Sequence, residues 1–227
     1  MSRALDRTRP LLELLAGAAL YGFAAGFGHD LHYACRDVVK FPLLLLLTAG
    51  VGAVSAWLVA LLLQLRLDFM ATQRLAFALF RDVAVLLGSL APIVFFLACV
   101  GRRDDGDPRG EYDLFLGSNM TAIALCGTLA LLRQVRRLSA AGTVSRHRAR
   151  AIAILWLALW LLVGGQGAFW MRPFFGYPAT RGVQAPWFLG EEPDLRGATN
   201  FFEAVAQFVR REAMPTDLER RIRRLAR

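Results

Sequence analysis

The chain has 227 residues, 56% of them hydrophobic, with 27 Lys and Arg against 18 Asp and Glu. A mean hydropathy of +0.42 is too high for an ordinary soluble domain of this length. The net charge of +9 does not argue for nucleic acid, because the cations sit in segments flanking apolar runs. There they orient a membrane protein and meet anionic headgroups. Lys40 is the only lysine, an arginine usage expected of a GC-rich bacterial genome.

A helix crosses a bilayer core with roughly 20 apolar residues. Five runs approach or exceed that length, at about 11–28, 41–64, 83–100, 114–132 and 151–171. They predict an all-α polytopic bundle of five transmembrane helices. The first run follows Arg7 and Arg9, as a signal peptide would, but Glu13 interrupts it and no small-x-small site follows. Its Ala18, Gly22 and Gly26 recur every four positions and line one face. Small residues let helix backbones approach closely in lipid. That face suits packing within the chain or, alternatively, a homo-oligomer interface.

In the following segment, 29–40, His29, His32 and Cys35 stand at three-residue steps. On a helix they would share a face, which makes them weak candidate metal ligands without a further ligand or fixed surroundings. No cofactor is expected. The second helix is expected to start at Phe41–Pro42, since proline suits a first helical turn. The third is expected to bend at Pro92, with Arg81 and Asp82 at its mouth, where Arg81 snorkels to headgroups or, alternatively, forms a buried functional ion pair with Asp82. Asn119 in the fourth helix is expected to hydrogen-bond across to a neighbouring helix. The fifth ends in Gly164, Gly165, Gln166 and Gly167, then Trp170. Read this way, no span holds an acid, base or histidine at mid-membrane, which lowers the expectation of an ion-coupled transporter.

Charge sets the orientation. The connector from Arg133 to Arg150 carries Arg133, Arg136, Arg137, Arg146, Arg148 and Arg150 and no acid, so it is placed inside. Counting from it puts the N-terminus inside, the acidic connector 101–113 outside and the C-terminus outside. Cys35 and Cys99 then fall near one outer face and could pair if that face is oxidising. Residues 1–171 make the bundle. Residues 172–227 make an extracytoplasmic aromatic segment and a basic amphipathic tail. Trp170 at the end of the bundle and Phe174, Phe175 and Tyr177 after it belong to an aromatic belt, with Arg172 placed to cap the fifth helix or to meet a headgroup. Asn200-x-x-Glu203 resembles a capping box, and Phe201, Val205 and Phe208 share the face of an interfacial helix. A second basic amphipathic helix is expected past Pro215.

No His-Glu-x-x-His, Gly-x-Ser-x-Gly or Walker pattern occurs, so an enzyme is not expected and no catalytic residue is named. The strings Asp37-Val38-Val39-Lys40-Phe41-Pro42, Leu90-Ala91-Pro92-Ile93-Val94-Phe95-Phe96, Met171-Arg172-Pro173-Phe174-Phe175-Gly176 and Asn200-Phe201-Phe202-Glu203-Ala204-Val205 resemble those of uncharacterised bacterial multispanning membrane proteins. That group is distantly similar to the five-span Yip family. The resemblance implies a cytosolic N-terminus and a C-terminus across the membrane. Its eukaryotic members are associated with vesicle traffic and small GTPases through a longer N-terminal region.

The functional expectation is a non-enzymatic scaffold or subunit of a complex in the bacterial inner membrane. A passive oligomeric channel or transporter is the first alternative, motivated by the glycines of the first helix and by Asn119 and Gln166. A lipid-binding or lipid-modifying protein is the second. Expected partners are membrane lipids and either copies of the chain or other membrane subunits, with no nucleic acid. Arg172, Trp170, Phe174, Phe175, Tyr177, Arg133, Arg136 and Arg137 are the candidate lipid or partner contacts.

Overall fold

A computed structural model describes residues 2–63, 68–100, 108–140, 146–172, 174, 187, 200–203, 205 and 206. Five long helices follow one another: α1 Ser2–Phe27, α2 Leu31–Leu62, α3 Phe69–Val100, α4 Pro108–Ala140 and α5 Arg146–Trp170. No strand occurs among the described residues. All five are long and apolar enough to cross a membrane. The chain is a multi-pass helical bundle.

All five helices start earlier than the apolar runs predicted, and α4 also ends later. Most of the expected connector 29–40 is the first part of α2. Nothing between Leu31 and Phe41 breaks a helix, and Asp30 starts one. Its backbone is extended and its carboxylate accepts a 2.8 Å hydrogen bond from Tyr33 N–H. This satisfies one of the free donors of a helix N-terminus. The start at Phe41–Pro42 is therefore corrected: Pro42 lies inside α2, where its ring removes one backbone hydrogen bond. In the same way α3 begins at Phe69 rather than near residue 83, and α4 runs on to Ala140.

The helix contacts close a ring in the order α1, α2, α5, α4, α3, with α2 and α3 also touching. α1 packs most extensively. Its Leu14, Ala18, Tyr21 and Ala25 are all buried and recur at three- and four-residue steps along one face. The approach is close enough to be backbone on backbone. A Cβ at Gly17 would overlap the carbonyl of Ala84, and one at Gly22 would overlap the carbonyl of Asp37. At Gly26 it would stand 2.7 Å from the Tyr33 carbonyl oxygen. The Gly22 and Gly26 side of α1 is thus filled by α2 of the same chain, and Gly17 faces Gly88 of α3. Ala18 is fully buried in the core.

Further along, Trp160 of α5 lies edge-on to Phe80 of α3 at 5.7 Å and occupies the space that a side chain at Gly52 of α2 would need. Outward-facing Leu43, Leu47, Val51, Leu125, Leu129, Ile154 and Leu161 are exposed. That is the arrangement expected where hydrocarbon rather than water surrounds a bundle.

Candidate functional site

Two polar clusters stand at opposite ends of the bundle. The first is built on the early turns of α2. Arg36, Asp37 and Lys40 are 2%, 0% and 1% exposed. Their burial follows from helical spacing: Tyr33, Asp37 and Lys40 fall on the side that meets α1. Lys40 Nζ donates a 3.0 Å hydrogen bond to the backbone carbonyl of Met171, just beyond α5. The same ammonium lies 5.6 Å from the centre of the Phe174 ring. Arg36 stands over two rings, Tyr33 at 5.2 Å and Trp187 at 5.4 Å. Such contacts are worth ~2 kcal/mol or more when desolvated. Phe174 and Tyr21 both meet Phe41 edge-on at 5.2 Å. Among the described residues neither carboxylate oxygen of Asp37 accepts a hydrogen bond. Asp37 balances the two cations by charge, without a directional bond.

A 32-residue helix is ~48 Å long, against a hydrocarbon slab of ~30 Å. Centred on that slab, α2 extends ~9 Å beyond it at each end. Asp37 then stands near the boundary and Lys40 about one turn inside. The expectation of a connector over 29–40 is corrected here: the helix that starts at Leu31 draws three ionisable groups into the bundle.

Beside this cluster, Tyr21 of α1 donates to Asn119 Oδ1 of α4 at 2.7 Å, and Asn119 Nδ2 donates to the Phe115 carbonyl at 2.8 Å. Both ends of the amide are satisfied, and α1 is tied to α4. His29 and Asp30 close the α1–α2 turn, with Nδ1 of His29 3.0 Å from Asp30 Oδ2. Partial burial acts to raise the Asp30 pKa, but the Tyr33 N–H and the neighbouring His29 and His32 outweigh it and hold the carboxyl below its usual value. A lowered pKa means that the stabilisation is present above the usual carboxylate range and is lost as pH falls through it. Asp30→Ala is expected to cost about 1 kcal/mol, the ordinary worth of such a cap. Thermal unfolding across pH checks this: the gap between wild type and variant should close on the acid side.

The second cluster ties α1, α3 and α4 at the other end. Asp82 of α3 is buried, with Arg81 at 3.0 Å and Arg137 of α4 at 2.9 Å. Arg81 also lies 3.7 Å from Glu13 of α1, which pairs with Arg9 at 2.9 Å. Gln134 Nε2 donates to the Leu75 carbonyl at 3.2 Å. The expected place of Arg81 and Asp82 at the helix mouth is corrected, because α3 starts at Phe69 and both lie well inside it; Asp82 is buried between Arg81 and Arg137, which reaches across from α4. Both arginines keep partial access to the surroundings. Asp82→Ala is therefore expected to cost about 1–2 kcal/mol, below the ~3–5 kcal/mol of a fully buried pair, since the released cations can turn outward. The midpoint of thermal unfolding in detergent checks it.

The other sequence candidates divide as follows. His29 is buried, while His32 and Cys35 are exposed, and no three His, Cys, Asp or Glu converge on a metal site among the described residues. The shared face required a helix through residue 29, and α2 starts only at Leu31. Cys35 and Cys99 are free thiols. Arg172 Nε donates to the Phe169 carbonyl at 3.0 Å, and its guanidinium stacks 3.6 Å from that ring. It caps its own helix. Trp170 is exposed and Phe174 buried. Arg133 and Arg136 are exposed on α4, whereas Arg137 is held by Asp82.

Glu203 N–H donates to Asn200 Oδ1 at 3.0 Å, which caps the turn that opens at Phe201. A Cβ at Gly165 would stand 2.6 Å from the Phe201 ring, so this turn packs on α5. Phe175, Tyr177, Phe208 and the tail past Pro215 lie outside the described residues. Compared with protein-family models, with curated proteins and with solved structures, the chain matches none.

The sequence reading missed Arg36, Asp37, Lys40 and the partner of Asp82. One signal was present for the first three. Asp30 followed by an unbroken stretch predicts a helix start, and Asp37 and Lys40 at i and i+3 lie on one side of such a helix.

Proposed function

We propose that this multi-pass protein is a non-catalytic scaffold, or a subunit of a complex, in a bacterial inner membrane. Its N-terminus and the 141–145 linker face the cell interior and its C-terminus faces out. The observation that carries this reading is how the interior polar groups are engaged. Tyr21 with Asn119, Gln134 with the Leu75 carbonyl, Asp82 with Arg137 and Lys40 with the Met171 carbonyl each join two parts of the bundle. They hold helices together, and none pairs a nucleophile with a base. The resemblance to the five-span Yip family belongs to the same proposal. Affinity purification in mild detergent, at native expression level, is the test. A stoichiometric assembly larger than one chain supports the proposal, and repeated recovery of the lone chain overturns it.

Arg36, Asp37 and Lys40 favour one second reading, an ion- or solute-conducting protein, because ionisable groups buried in a span commonly mark pathways. Its earlier motives are weaker: the α1 glycines and Asn119 are engaged within the chain. Reconstituted wild type that moves no ion or solute, or an Asp37→Asn variant that moves it unchanged, would remove this reading.

A further inference from the structure

From Leu114 to Gly190 the sequence contains no Asp or Glu, yet α4 and α5 carry six arginines at one end of the bundle. α4 and α5 pack against each other, and five residues, 141–145, join them. Three acids placed at this end are already engaged. Asp82 holds Arg81 and Arg137, Glu13 holds Arg9 and Arg81, and Asp68 accepts from Ala71 N–H at the start of α3.

The exposed arginines crown apolar stripes. On α4, Leu125, Leu129, Leu132 and Arg136 succeed one another at steps of four, three and four residues, and all are exposed. On α5, Arg150, Ile154 and Leu161 are exposed along one side in the same manner. Arg133 stands beside Arg136, one turn before the Arg137 that Asp82 holds. Each stripe offers, in line, an apolar wall and then a guanidinium at the level where the apolar stretch ends. An acidic protein would use the cations and leave the walls unused. A phospholipid uses both, with acyl chain along the leucines and phosphate on the arginine. The guanidinium fork suits phosphate oxygens better than an ammonium does. With no acid from Leu114 of α4 to the end of α5, a headgroup with net negative charge fits better than a zwitterionic one.

We propose that the α4–α5 face, through Arg136 and Arg150 with Arg133 beside them, is a docking surface for an anionic phospholipid. This goes beyond the scaffold reading and does not depend on it. The test takes the full chain from nanodiscs of phosphatidylcholine mixed with phosphatidylglycerol, and measures retained lipid by native mass spectrometry. Wild type is expected to retain phosphatidylglycerol several-fold over its share of the bulk. The double variant Arg136→Gln, Arg150→Gln is expected to bring retention back to the bulk ratio, since ~1 kcal/mol, about 5-fold, for each cation near the surface covers a several-fold preference. Arg74→Gln, which removes an exposed arginine of α3 at the same end, should leave it unchanged.

Equal retention of the two lipids by wild type overturns the proposal, and that arm needs no variant to fold. So does unchanged enrichment in the double variant. Displacement of the lipid by inorganic phosphate would assign the site to the free anion. Binding of a polyglutamate peptide without lipid preference would assign it to an acidic protein. Either outcome overturns the lipid.

Discussion

Gly22→Val is expected to prevent the bundle from forming, and Gly17→Val to do the same. Both positions meet backbone. A side chain at Gly22 would overlap the Asp37 carbonyl, and one at Gly17 the Ala84 carbonyl. Overpacking in a core costs typically ~1–3 kcal/mol when neighbouring side chains can shift. Here the neighbour is a helix backbone that cannot rotate away, so α1 must separate from α2 or α3 along its length. Van der Waals contact is the main force between helices in lipid, and it is lost wherever they separate. We expect no monodisperse peak for either variant in detergent size exclusion. Gly50→Ala is the matched control. A Cβ there would meet nothing within 4 Å. It should be neutral or stabilise by up to ~1 kcal/mol through helix propensity. If the Gly22 and Gly50 variants behave alike, close packing of α1 on α2 is not what holds the bundle.

Lys40→Met is expected to destabilise by about 3–5 kcal/mol, as when one member of a buried charged set is removed. Two costs add. The Met171 carbonyl loses its donor, and Asp37, fully buried and without a hydrogen-bond donor among the described residues, loses one of its two balancing cations. Asp37→Asn added to Lys40→Met should recover part of the loss, because it removes the uncompensated charge. A double-mutant cycle on unfolding midpoints separates the two costs. For a chain of this size ~3 kcal/mol corresponds to roughly 6–12 °C. If the double variant is as unstable as the sum of the singles, Asp37 and Lys40 are not coupled, and the cluster is three independent burials.

The two clusters show how far the residues could be read in one dimension. Charge along the chain marks where α4 and α5 carry exposed arginines, because Arg133, Arg136 and Arg150 lie at the ends of apolar runs. The same rule misplaces Arg36, Asp37 and Lys40. It treats ionisable residues as belonging to water, whereas a helix end buried by α1, Met171 and Phe174 provides a carbonyl, aromatic faces and counter-charges. Asp82 fails for a related reason. Its partner Arg137 is fifty-five positions away, and nothing in the sequence of α3 announces it. Asn119 was expected to bond to a neighbouring helix, but only assembly selects Tyr21.

By itself, the sequence determined that this chain is helical, that five stretches can cross a membrane, and that α1 has a face of small residues. Those properties are local: a run of apolar side chains and a four-residue spacing suffice for them. Tertiary structure decided where the helices begin, which helix fills the small face of α1, and which charges leave water. Desolvation, close backbone approach and ion pairing are properties of neighbours, and the neighbours are set only when α1 packs between α2 and α3.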